Sequence, residues 1–160
     1  MNLRSINSVL CTISVTLTDA AGNVSAAVTK TISKDALAPT VSSVSSSATN
    51  GSYKAGQTLL IIVNFTEAVT VTGTPQLTLE TGTTDVVLDY TSGSGTTALT
   101  FNYTIASGNT SADLDYASTS ALALHGGTIV DAGNNAAVLS LPSPGSSGSL
   151  GANKAFVIDT

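Results

Sequence analysis

The chain has few charged side chains, few aromatic rings and no tryptophan. Charged residues make up 9% of its 160 residues and aromatic residues 4%. The five Lys and Arg residues are scattered along the sequence, so no basic stripe is present to bind nucleic acid. The lack of tryptophan also disfavours stacking on sugar rings. Cys11 is the only cysteine, which excludes a disulfide within the chain.

Long apolar runs are also missing, so no segment is expected to span a membrane directly. The N-terminus offers a signal peptide as an alternative, with Arg4 before the apolar stretch 9–15. Polar residues interrupt that stretch, and no small-residue cleavage motif follows it. Apolar and polar residues alternate from Cys11 to Thr18, and this alternation favours a β-strand of the mature protein.

The residues that are abundant favour strands and turns. About three residues in ten are Thr or Ser, well above ordinary usage, and 42% of the residues are hydrophobic, enough for one core. Threonine and valine favour strands, while the 14 glycines mark turns. The net charge of −5 suits divalent cations better than polyanions.

Strand patterns fill the chain, and helical periodicity is expected only as one or two turns over residues 117–124. Residues 11–18 and 24–33 are predicted to form a hairpin. Apolar residues alternate over residues 59–65 and occupy both faces of that segment, which predicts a strand covered on both sides. Many short strands separated by turn signals predict an all-β sandwich of two sheets.

A six-residue motif occurs twice. Residues 18–23 (Thr-Asp-Ala-Ala-Gly-Asn) resemble residues 130–135 (Val-Asp-Ala-Gly-Asn-Asn), and a Lys-led apolar strand closed by Asp follows each copy. Repetition of this kind is typical of modular arrays. We therefore divide the chain into the C-terminal hairpin of a partial repeat, a short linker with Pro39, and one complete module, at residues 1–34, 35–40 and 41–160.

The set of motifs resembles the bacterial Ig-like repeats of large surface adhesins and related extracellular proteins. The matching stretches are the Asp-x-x-Ala-Pro-Thr-Val boundary and several internal segments, at residues 35–41, 51–59, 63–69, 72–77, 92–96 and 129–134. Residues 36–160 resemble a whole module, and residues 11–35 resemble the last two strands of a preceding one. The resemblance implies an Ig-like β-sandwich with an extra N-terminal hairpin, located outside the cell or on the bacterial surface. It also implies a role in attachment or spacing, and calcium binding.

In an Ig-like sandwich the first strand leaves the N-terminal pole and the second returns to it. Glu67, just after the second predicted strand, is therefore expected at that pole, together with the Asp131 turn and Asp35 of the linker. Asn134 or Asn135 would add an amide oxygen, and such an all-oxygen set is what calcium requires. A weaker second pair, Asp113 and Asp115, is expected to face one side of a strand.

Two other interpretations of these residues stay open. Asp-Ala-Gly-Asn is also a good turn sequence, in which Asp131 accepts hydrogen bonds from nearby backbone amides. Glu67 would then be only a solvated strand end. The third possibility is a cation other than calcium.

Catalysis is not expected. His125 has no second His or Cys nearby in sequence, and no nucleophile motif is present. We expect a non-catalytic structural or adhesion module that adjoins neighbouring Ig-like modules of the same chain and is stiffened by calcium. The first alternative is a self-assembling, pilus-like fibre subunit that forms a homopolymer by strand addition of its N-terminal hairpin. A carbohydrate-binding accessory module is the second.

Overall fold

The computed structural model of the chain describes residues 8–160 and divides it into two compact units, one reaching Leu37 and the other spanning Ala38–Thr160. The signal-peptide alternative at Arg4 lies outside the described residues. The described residues are almost entirely strands and irregular segments. The prediction of an all-β sandwich-like fold is therefore confirmed.

The first unit is a hairpin of two antiparallel strands, β1 (Ser8–Val15) and β2 (Val28–Asp35). Its ladder lies farther from the turn than predicted. Ser25 explains the difference, because its hydroxyl accepts a hydrogen bond from the Leu17 N–H at 2.9 Å. That bond replaces a ladder bond near the turn, and regular pairing resumes only at Val15 and Val28.

The two faces of the hairpin differ in polarity. Cross-strand partners share a face, so the register places Cys11 with Ile32, and Val15 with Val28, on the more apolar face, which we call the apolar face and which also carries Lys30 and Lys34. The opposite face is polar and includes the pair Thr12 and Thr31. All residues of β2 are exposed to solvent within the described structure.

The second unit contains nine strands and one short helix. These are β3 (Val41–Ser46), β4 (Gly51–Tyr53), β5 (Thr58–Thr72), β6 (Gln76–Leu79), β7 (Val86–Ser92), β8 (Thr96–Thr104), β9 (Leu122–Ala123), β10 (Thr128–Val130), α1 (Leu150–Asn153) and β11 (Phe156–Ile158).

Strand β5 organises the main sheet. It pairs antiparallel with β3 and β10 on one side and with β8 on the other, and β7, β6 and β9 continue the sheet beyond β8. A separate parallel pair joins β11 to β4. The predicted alternation in β5 is confirmed, since Leu59, Ile61 and Val63 are fully buried. Leu60 and Ile62 on its other face are half-buried, so that face is only partly covered.

The helical turns expected over residues 117–124 are not formed. Leu122 pairs instead with Leu77 of β6, which makes this segment an edge strand. The helix that does form, α1, lies in the Ser/Gly-rich region, where the Ser149 hydroxyl accepts a hydrogen bond from the Ala152 N–H. Leu150 anchors α1 in the core. In the described part of the chain, no helix has the length and apolarity needed to cross a membrane.

Candidate functional site

The repeated motif adopts the same hydrogen-bonded turn in both units. In the second unit the Asp131 carboxylate accepts bonds from the Asn135 N–H at 2.8 Å and from the Asn135 side-chain amide at 2.7 Å. In the hairpin, Asp19 accepts the corresponding bonds from Asn23, each at 2.9 Å. We call this arrangement the Asp-Asn lock.

The backbone of the two locks also corresponds. The N–H of Asp131 donates to the carbonyl of Asn135, and that of Asp19 donates to the carbonyl of Asn23. The left-handed position is filled by Gly22 in the first turn and by Asn134 in the second, and these residue types tolerate positive φ most readily. The resemblance seen in sequence therefore extends to individual hydrogen bonds. It also means that turn closure accounts for the hydrogen bonds between Asp131 and Asn135 without any ion.

The environment keeps Asp131 ionised. Its side chain is only 3% exposed, and this burial acts to raise the carboxyl pKa. The side-chain amide of Asn135 and the backbone N–H groups of Asn135 and Gly133 act in the opposite direction and hold the pKa of Asp131 below its ordinary value. An ionised carboxylate has about four lone-pair sites, and these three hydrogen bonds occupy three of them. Asp131 is therefore an anion with remaining capacity to accept.

Glu67 lies beside this turn. It belongs to β5 rather than following it, so its predicted place at a strand end is wrong. The residue sits where the register between β5 and β8 shifts, between Asn64 and Val69. On the other edge of β5, Val41 of β3 pairs with Phe65, and this brings Thr40 beside Thr66, whose N–H donates to the Thr40 carbonyl at 2.9 Å. Glu67 is thus placed near the N-terminal start of the second unit, as the sandwich topology predicts.

The structure brings Glu67 and Asp131 together. Strand β10 pairs with the end of β5, Val130 opposite Thr70, and this pairing carries the Asp131 turn to the same pole. One carboxylate oxygen of Glu67 and one of Asp131 lie within 4.8 Å of each other. We call these two carboxylates the acidic pole. At an effective dielectric constant of about 20, two full charges at that separation repel by roughly 3 kcal/mol.

Asp35 and Asn134 have different roles from these two residues. Asp35 is the last residue of β2 in the first unit, and its carboxylate accepts the Leu37 N–H at 3.1 Å. Ala38, the first residue of the second unit, follows Asp35 by three positions. Asn134 is exposed and occupies the left-handed corner of the turn. Its neighbour Asn135 supplies the amide that contacts Asp131.

Asp113 and Asp115 do not share the face of a strand, because their segment is irregular. Asp115 is buried and structural, since its carboxylate accepts the Tyr116 N–H and the Gly145 N–H, each at 2.9 Å. Asp113 is exposed. The two carboxylates do approach the same backbone, since a Cβ built on Gly151 would meet Asp115 Oδ2 at 3.0 Å and Asp113 Oδ2 at 3.3 Å. The principal function of Asp115 is to fasten the loop that contains Gly145.

The lock was the part of the site that sequence reasoning missed. The turn itself was predicted, but Asn134 and Asn135 were considered only as sources of an amide oxygen for the cation, and not as donors to Asp131. A usable signal is present, because in both copies an Asn follows the Asp by four positions, as Asn23 and Asn135. An Ala also follows the Asp in both copies, whereas the glycine shifts by one position.

Comparisons with known proteins add no relative. No protein-family model matches this chain, and neither a curated protein nor a solved structure matches it. The function therefore has to be argued from the fold and from the two locks.

Proposed function

We propose that the chain is a non-catalytic structural or adhesion module of a repetitive extracellular bacterial surface protein, and that calcium stiffens the joint between its successive modules. The observation that carries this proposal is the Asp-Asn lock, which recurs bond for bond in the hairpin and in the sandwich. A hairpin that repeats the lock of a complete module is what the end of a preceding module would look like. Tandem modules of this kind serve to extend and to present surfaces.

The calcium part of the proposal rests on the acidic pole. Glu67 and Asp131 come from β5 and from a turn more than sixty positions later, yet their oxygens lie within 4.8 Å. Calcium is bound by six to eight oxygen ligands, among them carboxylates and backbone carbonyls. A cation between these two groups would convert their repulsion into attraction. The lowered pKa of Asp131 leaves its carboxylate ionised at neutral pH.

Asp35 is the third carboxylate of the proposal. Ala38 follows it by three positions, and an extended chain spans about 10 Å over that distance. Pro39 follows Ala38 directly and favours an extended backbone for that residue. Calcium that drew Asp35 to the acidic pole would cross-link the hairpin and the sandwich, and so reduce bending at the joint.

Thermal unfolding with calcium and with a chelator tests the proposal. Ligand at a hundred times its dissociation constant stabilises the folded state by about 2.7 kcal/mol. For a unit of this size that raises the midpoint by roughly 10 °C. Glu67→Gln keeps Asp131 and Asn135, the two residues of the lock, and should abolish most of the increase. Glu80→Gln, at an exposed position, is the matched control and should retain it. A shift below about 1 °C in the unmodified chain at millimolar calcium would reject the calcium site.

A second candidate function is a self-assembling fibre subunit that uses the hairpin for strand addition. The observation that favours it is the exposed apolar face of the hairpin, where Ile13, Val15 and Val28 are each at least half exposed. The area that two hairpins would bury by packing face to face is too small to explain assembly. Two strands of eight residues cover roughly 300 Å², whereas stable interfaces bury about 800 Å² per partner. Assembly would therefore require main-chain pairing at a strand edge as well.

Sedimentation velocity over a range of concentrations distinguishes the two candidates. A fibre subunit should form species that grow with concentration. Ile13→Lys, on the apolar face, should cause these assemblies to dissociate. Thr12→Lys, on the polar face, should not. A chain that stays monomeric at high concentration would exclude the fibre function.

A further inference from the structure

The dipeptide Asn50–Gly51 is a second chemically distinctive feature, and it lies away from the acidic pole. It is the only Asn-Gly pair in the sequence, and it stands where β4 begins. Gly51 has a φ of 151°, which accounts for glycine at this position. The same residue type has a chemical consequence. No Cβ shields the glycine nitrogen, so this nitrogen can attack the side-chain amide carbon of a preceding asparagine. The attack is faster in Asn-Gly than in any other sequence context.

Both reacting groups are bound by one residue of the C-terminal segment. The Gly51 N–H donates to the carbonyl of Ala155 at 3.0 Å. The Ala155 N–H donates in turn to the side-chain oxygen of Asn50 at 3.2 Å. Cyclisation requires the Asn50 Cγ to move over the Gly51 nitrogen and that nitrogen to give up its proton. Neither can happen while both hydrogen bonds to Ala155 are in place.

Strand β11, which follows Ala155, holds this arrangement closed. It pairs in parallel with β4, Phe156 opposite Gly51. Phe156 is fully buried and packs edge-on against Tyr53, with ring centroids 5.5 Å apart. Lys154 adds an anchor, because its Nζ donates to the carbonyl of Ala48 at 2.8 Å and lies 5.9 Å from the centre of the Phe156 ring.

We propose that Asn50–Gly51 is a latent modification site that β11 keeps closed, and that it reacts when β11 leaves β4. In the reaction the Gly51 nitrogen bonds to Asn50 Cγ, the Cγ–Nδ2 bond breaks, and ammonia departs with the proton from the Gly51 nitrogen. Water then opens the resulting succinimide at either carbonyl, which gives aspartate or isoaspartate. No oxidant or cofactor is required.

The isoaspartate product would prevent β11 from pairing again, because it lengthens the backbone by one carbon at the position where β4 and β11 come into register. The modification is therefore irreversible, and it marks molecules in which β11 has separated from β4. This inference is independent of the calcium site and of the proposed surface role.

The full chain tests the proposal without any substitution. Samples are incubated at mildly alkaline pH in native buffer and in urea. Mass spectrometry of proteolytic peptides then measures the exchange of the Asn50 amide for an acid. The rate in native buffer should be lower than in urea by a factor on the order of ten or more, because reaction must wait for local opening. Equal rates in the two buffers would overturn the proposal. Asn50→Gln should abolish the signal and so assigns it.

Two variants test the part played by β11. Lys154→Met removes the anchor to Ala48 and should raise the native rate towards the value in urea. Val157→Met changes a side chain that is 37% exposed and serves as the control, with an unchanged rate. Hydrogen exchange of the Gly51 amide provides a readout that does not depend on the chemistry. If Lys154→Met speeds exchange at Gly51 but leaves the modification rate unchanged, β11 does not control the site.

Discussion

Replacing Asp131 by alanine is the substitution whose effect follows most directly from the structure. The change removes the carboxylate that accepts two hydrogen bonds from Asn135, at 2.8 and 2.7 Å. Hydrogen bonds to charged groups contribute about 1.5–3 kcal/mol each, and water replaces part of that on removal. Because the side chain is only 3% exposed, little of the carboxylate was solvated in the folded state. We therefore expect the second unit to lose about 2–4 kcal/mol of unfolding free energy.

The assay is urea unfolding followed by near-ultraviolet circular dichroism of the buried tyrosines, with a chelator present. With the chelator present calcium cannot contribute, so the change in unfolding free energy reports the turn alone. Asp19→Ala is the matched control, since it removes the corresponding bonds from the exposed turn of the hairpin. It should leave the midpoint of the second unit unchanged.

Two results would refute this reasoning. A loss below about 0.5 kcal/mol for Asp131→Ala, the scale of an ordinary surface substitution, would mean that the lock does not stabilise the sandwich. Equal losses of the second unit's stability for the two variants would mean that the measured effect is not local to the Asp131 turn.

Three further outcomes are expected. The pKa of Asp131 is lowered in the folded state, so its contribution to stability is present above the ordinary pKa of 3.8. This contribution is lost as the pH falls through the folded pKa. Urea unfolding between about pH 5 and pH 2 measures the loss. Burial raises the pKa of Tyr103 to about 12 and also raises the pKa of Tyr116. The two tyrosines therefore stabilise the fold fully below about pH 10, and this contribution is lost as the pH rises towards their folded pKa values. Part of the tyrosinate absorbance should accordingly appear only when the protein unfolds. Leu99→Ala, at a fully buried position of β8, should cost about 2–5 kcal/mol in the same unfolding assay, whereas Val87→Ala, at a position 53% exposed, should cost less than about 1 kcal/mol.

Local pattern was sufficient to predict the strand character of β5. The alternation of Leu59, Ile61 and Val63 identified the buried face of β5, because a period of two has only one structural interpretation. The turn at Asp131 was likewise predictable from its composition. Convergence of Glu67 with that turn followed from the antiparallel topology of a sandwich.

Other parts of the site depended on packing that no short window contains. Glu67 lies inside β5 because the strand continues through a register shift after Asn64, and its sequence carries no break at that point. Asp115 alternates with Asp113 as a strand residue would, yet it turns inward to bind the Gly145 N–H thirty positions later. The helical segment at Leu150 depends on the burial of that residue and on a serine cap, both of which are set by the rest of the fold.

We propose that calcium at the acidic pole stiffens the joint between the hairpin and the sandwich. Cys11 is the only cysteine and is exposed on the hairpin, so a fluorescent label attached there reports the motion of the first unit. Time-resolved anisotropy should show a fast component in chelator that largely disappears in saturating calcium, and this change should be absent in Glu67→Gln. A fast component of the same amplitude with and without calcium would show that calcium does not stiffen this joint.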